Sequence, residues 1–286
     1  MHKLFLRPCL SHIGWSLIFT IWLSLVPLKD ATADVIGESF SHLYQGVNDF
    51  SEKIFPGRKT MITIGVGPKY SPDYLGSDDY DVDLDIAFYI KLKRFAASSS
   101  GLSFDFLKHK SISFGPFVKF TGGRKEKVND ALTGLGNINK SVHLGLYGQY
   151  VYKSFSFRLS AIKDITSWHQ GWQGKFRVSS LIYHGGKWTV LGSVDATWGD
   201  DDYSATWFGI DDDQSVASGY AVYDAGSGIR DVAVHVSSRY TIGDHWSIDA
   251  TVTYRRLMSG PADSPIVADE GSRNQLIAAI YGSYSF

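Results

Sequence analysis

From Arg230 to Phe286 the chain alternates with a period of two, and that alternation limits its fold more than any other feature. Between Asp231 and Ile242 the even positions are Val232, Val234, Val236, Ser238, Tyr240 and Ile242. The odd ones are Asp231, Ala233, His235, Ser237, Arg239 and Thr241. After the turn Gly243-Asp244, Trp246, Ile248, Ala250, Val252 and Tyr254 share one face, opposite His245, Ser247, Asp249, Thr251, Thr253 and Arg255. A third run, Leu276 to Phe286, finishes on Tyr284-Ser285-Phe286. Period two means extended strands with one apolar and one polar face. A closing strand with alternate aromatics points to an outer-membrane β-barrel, although a soluble sandwich alternates too.

The same pattern recurs upstream. Ile62, Ile64 and Val66 alternate with small residues, and Val82 to Leu92 alternates with Asp81, Asp83 and Asp85. Further runs are 102–106, 112–120, 142–152, 155–161, 176–182, 188–198 and, shorter, 203–210. The total is about twelve antiparallel strands (10–12), many near the ~10 residues that cross a bilayer at a tilt. Trp188 and Trp198 bracket one apolar face ten positions apart. At ~3.3 Å per residue and a tilt of ~40°, they stand roughly 25 Å apart along the membrane normal, the height of a barrel's apolar band. Trp246 and Tyr254 repeat the arrangement. The opposite faces carry Lys119, His143, Arg158, Lys175, Arg177, Asp195, Arg239, Asp249 and Arg255, which a barrel would place in a polar lumen. The expected fold class is therefore all-β, an antiparallel transmembrane barrel over residues 59–286.

Residues 1–33 read as a signal peptide, with Lys3 and Arg7, an apolar core from Ile13 to Val26, and Ala31-Thr32-Ala33 before the cut. The mature chain is then expected to start at about Asp34 and to be exported to the cell outer membrane. The one cysteine, Cys9, leaves with the signal, so no disulfide or Cys metal site is expected. A net charge of -1 gives no support for nucleic-acid binding. Residues 34–58 form a separate segment. Ile36, Phe40, Leu43, Val47, Phe50 and Ile54 recur at helical spacing up to Pro56-Gly57, so a short amphipathic helix and linker precede the barrel. It could pack on the rim, lie in the membrane interface, plug the lumen or dock a partner.

Tight connections at Lys153-Ser154, Gly185-Gly186 and Gly243-Asp244 suit the periplasmic side, and long ones at 71–79, 122–139, 211–228 and 259–273 suit the outside. Twelve full strands with both termini inside cannot satisfy all of these. Either 203–210 fails to span or one long connection faces the periplasm.

The residues also carry a family likeness. Trp198-Gly199, Tyr203, Trp207-Phe208-Gly209-Ile210, Ala217-Ser218-Gly219 and Tyr223 lead into Tyr254-Arg255-Arg256-Leu257 and Ala262-Asp263-Ser264-Pro265-Ile266-Val267. Gly271-Ser272, Gln275 and Tyr284-Ser285-Phe286 follow, with Gly65-Val66-Gly67, Tyr70-Ser71-Pro72 and Tyr74-Leu75-Gly76-Ser77 near the start. Over about 60–286 the chain resembles the MltA-interacting protein (MipA/OmpV) family of outer-membrane proteins. The resemblance implies a non-enzymatic barrel that acts as a scaffold, linking a lytic transglycosylase to a murein synthase on the periplasmic side. Segment 34–59 departs from the family pattern, being longer and more helical.

No constellation argues for catalysis. Ser141 with His143, and His235 with Ser237, share faces at i and i+2, as same-face neighbours often do. His42, His109, His169, His184 and His245 lack zinc spacing. Asp200-Asp201-Asp202 and Asp211-Asp212-Asp213 offer oxygen ligands without the spacing of a calcium loop. No catalytic, cofactor or metal site is expected. The alternative functions are a narrow channel for small solutes and a surface adhesin using loops 211–228 and 259–273.

Overall fold

The computed structural model describes residues 38–55, 60–166 and 171–286; the expected signal peptide and cleavage site lie outside them. Thirteen extended segments form one sheet. They are β1 (Thr60–Pro72), β2 (Tyr80–Leu92), β3 (Phe95–Ser98), β4 (Gly101–Phe104), β5 (Leu107–His109), β6 (Ile112–Thr121) and β7 (Ser141–Tyr152). The order continues with β8 (Phe155–Asp164), β9 (Trp172–Gly185), β10 (Trp188–Gly199), β11 (Gly228–Ile242), β12 (Trp246–Leu257) and β13 (Asn274–Ser285). β13 pairs back on β1, with Thr63 opposite Ser285, and β4 pairs with β6, so the sheet closes.

β4 and β5 are two halves of one crossing. Ser103 faces Phe117 and Leu107 faces Phe114, so four steps on one strand oppose three on the other. That extra residue is a β-bulge. It keeps Asp105 buried on the inside while Phe104 and Phe106 are exposed outside. A Cβ on the partner's Gly115 would meet the Phe104 carbonyl oxygen at 1.8 Å, so only glycine fits beside the bulge. With β4 and β5 joined, the molecule is a closed twelve-stranded antiparallel barrel.

The connections alternate in length as a barrel requires. Five tight turns, at Lys93, Lys110, Lys153, Gly186 and Gly243, each use a residue with positive φ and lie at the end holding both barrel termini. Connections 73–79, 122–140, 200–227 and 258–273 gather at the other end, where the β8–β9 link 165–171 also lies. Apolar side chains on the outer face are exposed, including Trp188, Trp198, Trp246 and Tyr254, whereas the alternate positions are buried inward. Hydrophobic residues facing out and polar ones facing in is the arrangement of a lipid-embedded barrel.

One expected strand is a helix. Residues 203–210 do not span: Asp201–Phe208 is α-helical, started by Asp200, whose side chain accepts from the Tyr203 N–H. Tyr203, Trp207 and Phe208 are then buried on one helical face. A strand absent from the sequence reading, β3, takes its place in the count. It is a four-residue piece between the Lys93 turn and the hairpin tip Ser99-Ser100. With 203–210 removed from the wall, every long connection falls on the outer side, and the short β3–β4 hairpin turns in the same direction.

Candidate functional site

The expected N-terminal helix, here α1 (Glu38–Asp49), lies inside the barrel. A second short helix, α2 (Ser51–Ile54), follows it at the periplasmic end. Phe40, Leu43, Tyr44, Val47, Phe50 and Ile54 are buried with Tyr89, Leu191, Ala279 and Tyr281 of the wall in one apolar cluster. On its polar side Ser39 and Ser41 are buried, while His42, Gln45, Asn48 and Asp49 are half-buried and face the part of the lumen left open. Two features of the wall admit the helix. Gly46 brings it so near β10 that a Cβ would sit 3.0 Å from Leu191 Cδ1. Inward-facing Gly65 leaves room for the Phe40 ring, which a Cβ there would approach to 2.4 Å.

Hydrogen bonds fix the helix in rotation. The Tyr44 hydroxyl donates to Asp249 Oδ2 at 2.7 Å, and Asp249 is paired with Arg239, whose guanidinium also reaches the Tyr44 oxygen. Two residues earlier on the helix, His42 Nε2 accepts from Arg177 at 3.0 Å, and Arg177 is ion-paired with Asp195. A guanidinium only donates, so His42 Nε2 accepts. That leaves the His42 Nδ1–H to face His235 Nδ1 at 3.3 Å, and the His235 Nε2–H to donate to Asp195 Oδ2 at 3.1 Å. The four side chains thus close a ring joining α1, β9, β10 and β11. His42, Asp195 and His235 stand close enough together to hold a metal. The ring already occupies those lone pairs, with Arg177 placed as the cation.

Beside α1, along the wall from β2 to β10, a cavity of about 480 Å³ remains. Lys119, Arg158, Lys175 and Arg177, all expected in a lumen, line it. His143, Asp195, Arg239, Asp249 and Arg255 also point inward and are buried. Above the lumen the long connections form a second hydrophobic core, with Tyr74, Leu132, Trp207, Phe208, Leu257 and Ile266 at its centre. Many of the residues that carry the family likeness meet in this cap. The Tyr74 hydroxyl donates to the Ile266 carbonyl at 2.8 Å, Ser264 Oγ to the Phe208 carbonyl at 2.6 Å, and Arg124 to the Trp207 carbonyl at 2.9 Å. Burial pushes the Tyr74 hydroxyl up and the Arg124 guanidinium down to about 10.

The remaining residues singled out in the sequence have structural positions. Ser141 and His143 do hydrogen-bond, at 2.9 Å, but both are buried in the wall and neither lines the cavity. His235 turns to Asp195 and Thr253, while Ser237 bonds Thr251. Asp200 caps its helix and also accepts from the Trp172 N–H, and Asp211 forms a capping box with Gln214 over Asp212–Ser218. These two carboxylates thus serve as helix caps. His184 bonds Thr189 and His245 the Ser285 carbonyl; His169 lies outside the described residues. Sequence reasoning missed the His42–His235 contact, which joins residues 193 apart.

Closed walls, an apolar belt and a polar lumen define an outer-membrane β-barrel. The family model for "MltA-interacting protein MipA" matches residues 64–286, and the chain belongs to that family. No curated protein matches it. Among solved structures it is similar to the NanC porin, at 9% identity over 77% of this chain and 98% of that one, TM-score 0.45. An outer membrane channel from Pseudomonas putida F1 is 10% identical over 79% of this chain and 95% of that one, TM-score 0.40. The outer membrane protein OprD from Pseudomonas aeruginosa is 14% identical over 72% and 54%, TM-score 0.35.

Proposed function

We propose that this protein is a non-enzymatic, plugged barrel that anchors murein-remodelling enzymes to the outer membrane. The observation that carries the reading is the position of α1. Apolar packing and a ring of hydrogen bonds hold it along the lumen, while the interlocked loops cap the outer end. Such a barrel is suited to hold something rather than to pass it. The family's name, MltA-interacting protein, supports a lytic transglycosylase as the partner, with a murein synthase recruited alongside. The periplasmic end offers a docking surface: Lys53, Lys93, Arg94, Lys110, Lys153 and Lys187 are all exposed there. A basic rim steers an acidic partner surface and makes the association salt-sensitive.

The test is capture of a purified lytic transglycosylase by the mature barrel in lipid nanodiscs. Binding that falls at least tenfold when Lys93, Arg94 and Lys153 are changed together to Glu is expected. No binding to a barrel shown to be folded would overturn the anchoring role. A solute channel is the second reading, favoured by the cavity left beside α1. It requires α1 to move.

A further inference from the structure

We propose that the cavity beside α1 is a binding site for a small oxyanion, a solute whose carboxylate or phosphate oxygens are held by lysine, arginine and serine side chains. The inference is independent of the anchoring role.

Charge carries it first. Among the described residues the lining holds nine lysines and arginines against three carboxylates, Asp49, Glu52 and Asp105. Five of the cations, Lys91, Lys119, Arg158, Lys175 and Arg177, come from β2, β6, β8 and β9 and converge on one space. The other four, Lys53, Lys108, Lys110 and Lys153, are exposed at the periplasmic mouth. A basic mouth opening into a basic chamber with low-dielectric walls concentrates anions inside it.

Strand register makes the arrangement specific. Arg158 on β8 stands directly opposite Arg177 on β9, and Lys175 lies two positions along the same face, opposite Ser160. Like charges facing each other across a ladder destabilise a sheet. Asp195 answers Arg177 but is shared with His235. Asp49 of α1 stands beside Arg158, and Asp195 feels Lys175 as well as Arg177; an anion bound among the three cations would relieve their repulsion further.

Donor chemistry agrees. The Arg158 guanidinium lies 3.7 Å from the Tyr147 ring centroid and donates to Gln149 Oε1 at 3.1 Å, which fixes the orientation of its fork. Hydroxyls of Ser103 and Ser113 line the same space and add short neutral donors. A volume of about 480 Å³ lies within the ~300–1,000 Å³ of small-molecule sites. Because His42, Gln45, Asn48 and Asp49 of α1 line it too, a bound anion would also steady the helix.

The test is calorimetry on the mature chain in phosphatidylcholine nanodiscs, with citrate and inorganic phosphate as probes and glycerol as the neutral control. Citrate or phosphate is expected to bind with an affinity that weakens as salt rises, and glycerol is not. Arg158→Gln with Lys175→Gln should weaken binding at least tenfold, and Lys140→Gln, exposed in the 122–140 connection and outside the cavity, should leave it unchanged. If that double variant does not fold, Lys119→Gln alone should still weaken binding several-fold. Displacement of citrate when phosphatidylglycerol is added to the disc would support the same site with a lipid headgroup as its source. Absence of citrate and phosphate binding to the folded wild-type barrel, or equal affinity in the cavity variants and wild type, would overturn the proposal.

Discussion

The hydroxyl of Tyr44 on the lumen helix lies 2.7 Å from Asp249 Oδ2 on β12, across 205 residues of sequence. The bond ties the lumen helix to a wall strand far along the sequence. Replacing Tyr44 with Phe keeps the ring stack on Tyr89 and removes this bond. A buried charge-assisted hydrogen bond is worth roughly 1.5–3 kcal/mol, so backbone exchange over 38–49 should accelerate about tenfold or more. The barrel itself should remain folded, because its ladder is untouched. Hydrogen exchange resolved by mass spectrometry reads both.

Shape complementarity at Gly65 and Phe40 gives a reciprocal prediction. Gly65→Val should expel the Phe40 ring and weaken helix docking by ~1–3 kcal/mol, the usual cost of overpacking. Adding Phe40→Ala should recover part of that loss, since the added methyls then occupy the vacated space. Protease sensitivity of the helix in the single and double variants measures the coupling; additive losses would contradict the contact.

How much of this could be read from the sequence depends on what each pattern encodes. Period two fixes which side chain faces lipid, so Trp188, Trp198, Trp246 and Tyr254 were legible residue by residue. The helix was legible as a helix, but its location was not. A polar helical face usually means water, whereas here Ser41 accepts from the Ser100 hydroxyl of the wall and is buried all the same. The strand reading of 203–210 followed its aromatics and overlooked Asp200, whose cap and the acidic first turn behind it begin a helix. β3 escaped notice because four residues, two of them alanine, carry too little pattern. The ring of His42, Arg177, Asp195 and His235 depends on the helix lying in the lumen, which no local spacing encodes.

The cap makes its own prediction. Asp200→Ala removes acceptors for both the Tyr203 and Trp172 N–H groups and should cost ~1–2 kcal/mol locally, the range of a lost helix cap. The 200–227 connection should then become several-fold more sensitive to protease added to intact cells. Asp213→Ala, at an exposed acid of the neighbouring helix, should change nothing measurable.

Lipid exposure can be tested with one charge. Val234 is exposed on the outer face near the middle of β11. Val234→Arg should destabilise the barrel by ~2–4 kcal/mol in urea titrations in lipid, the cost of arginine at the bilayer midplane. Val216→Arg, on an exposed cap helix, should stay within about 0.5 kcal/mol of wild type.

The most direct measurement is single-channel current in planar bilayers from a chain of residues 34–286 and from a variant of it lacking residues 38–49. The wild type is expected to show no steady conductance, and the variant to open in discrete steps, because α1 runs along the lumen that the deletion would clear. Equal steps from both proteins would show that the helix does not close the barrel and would contradict the plugged anchor.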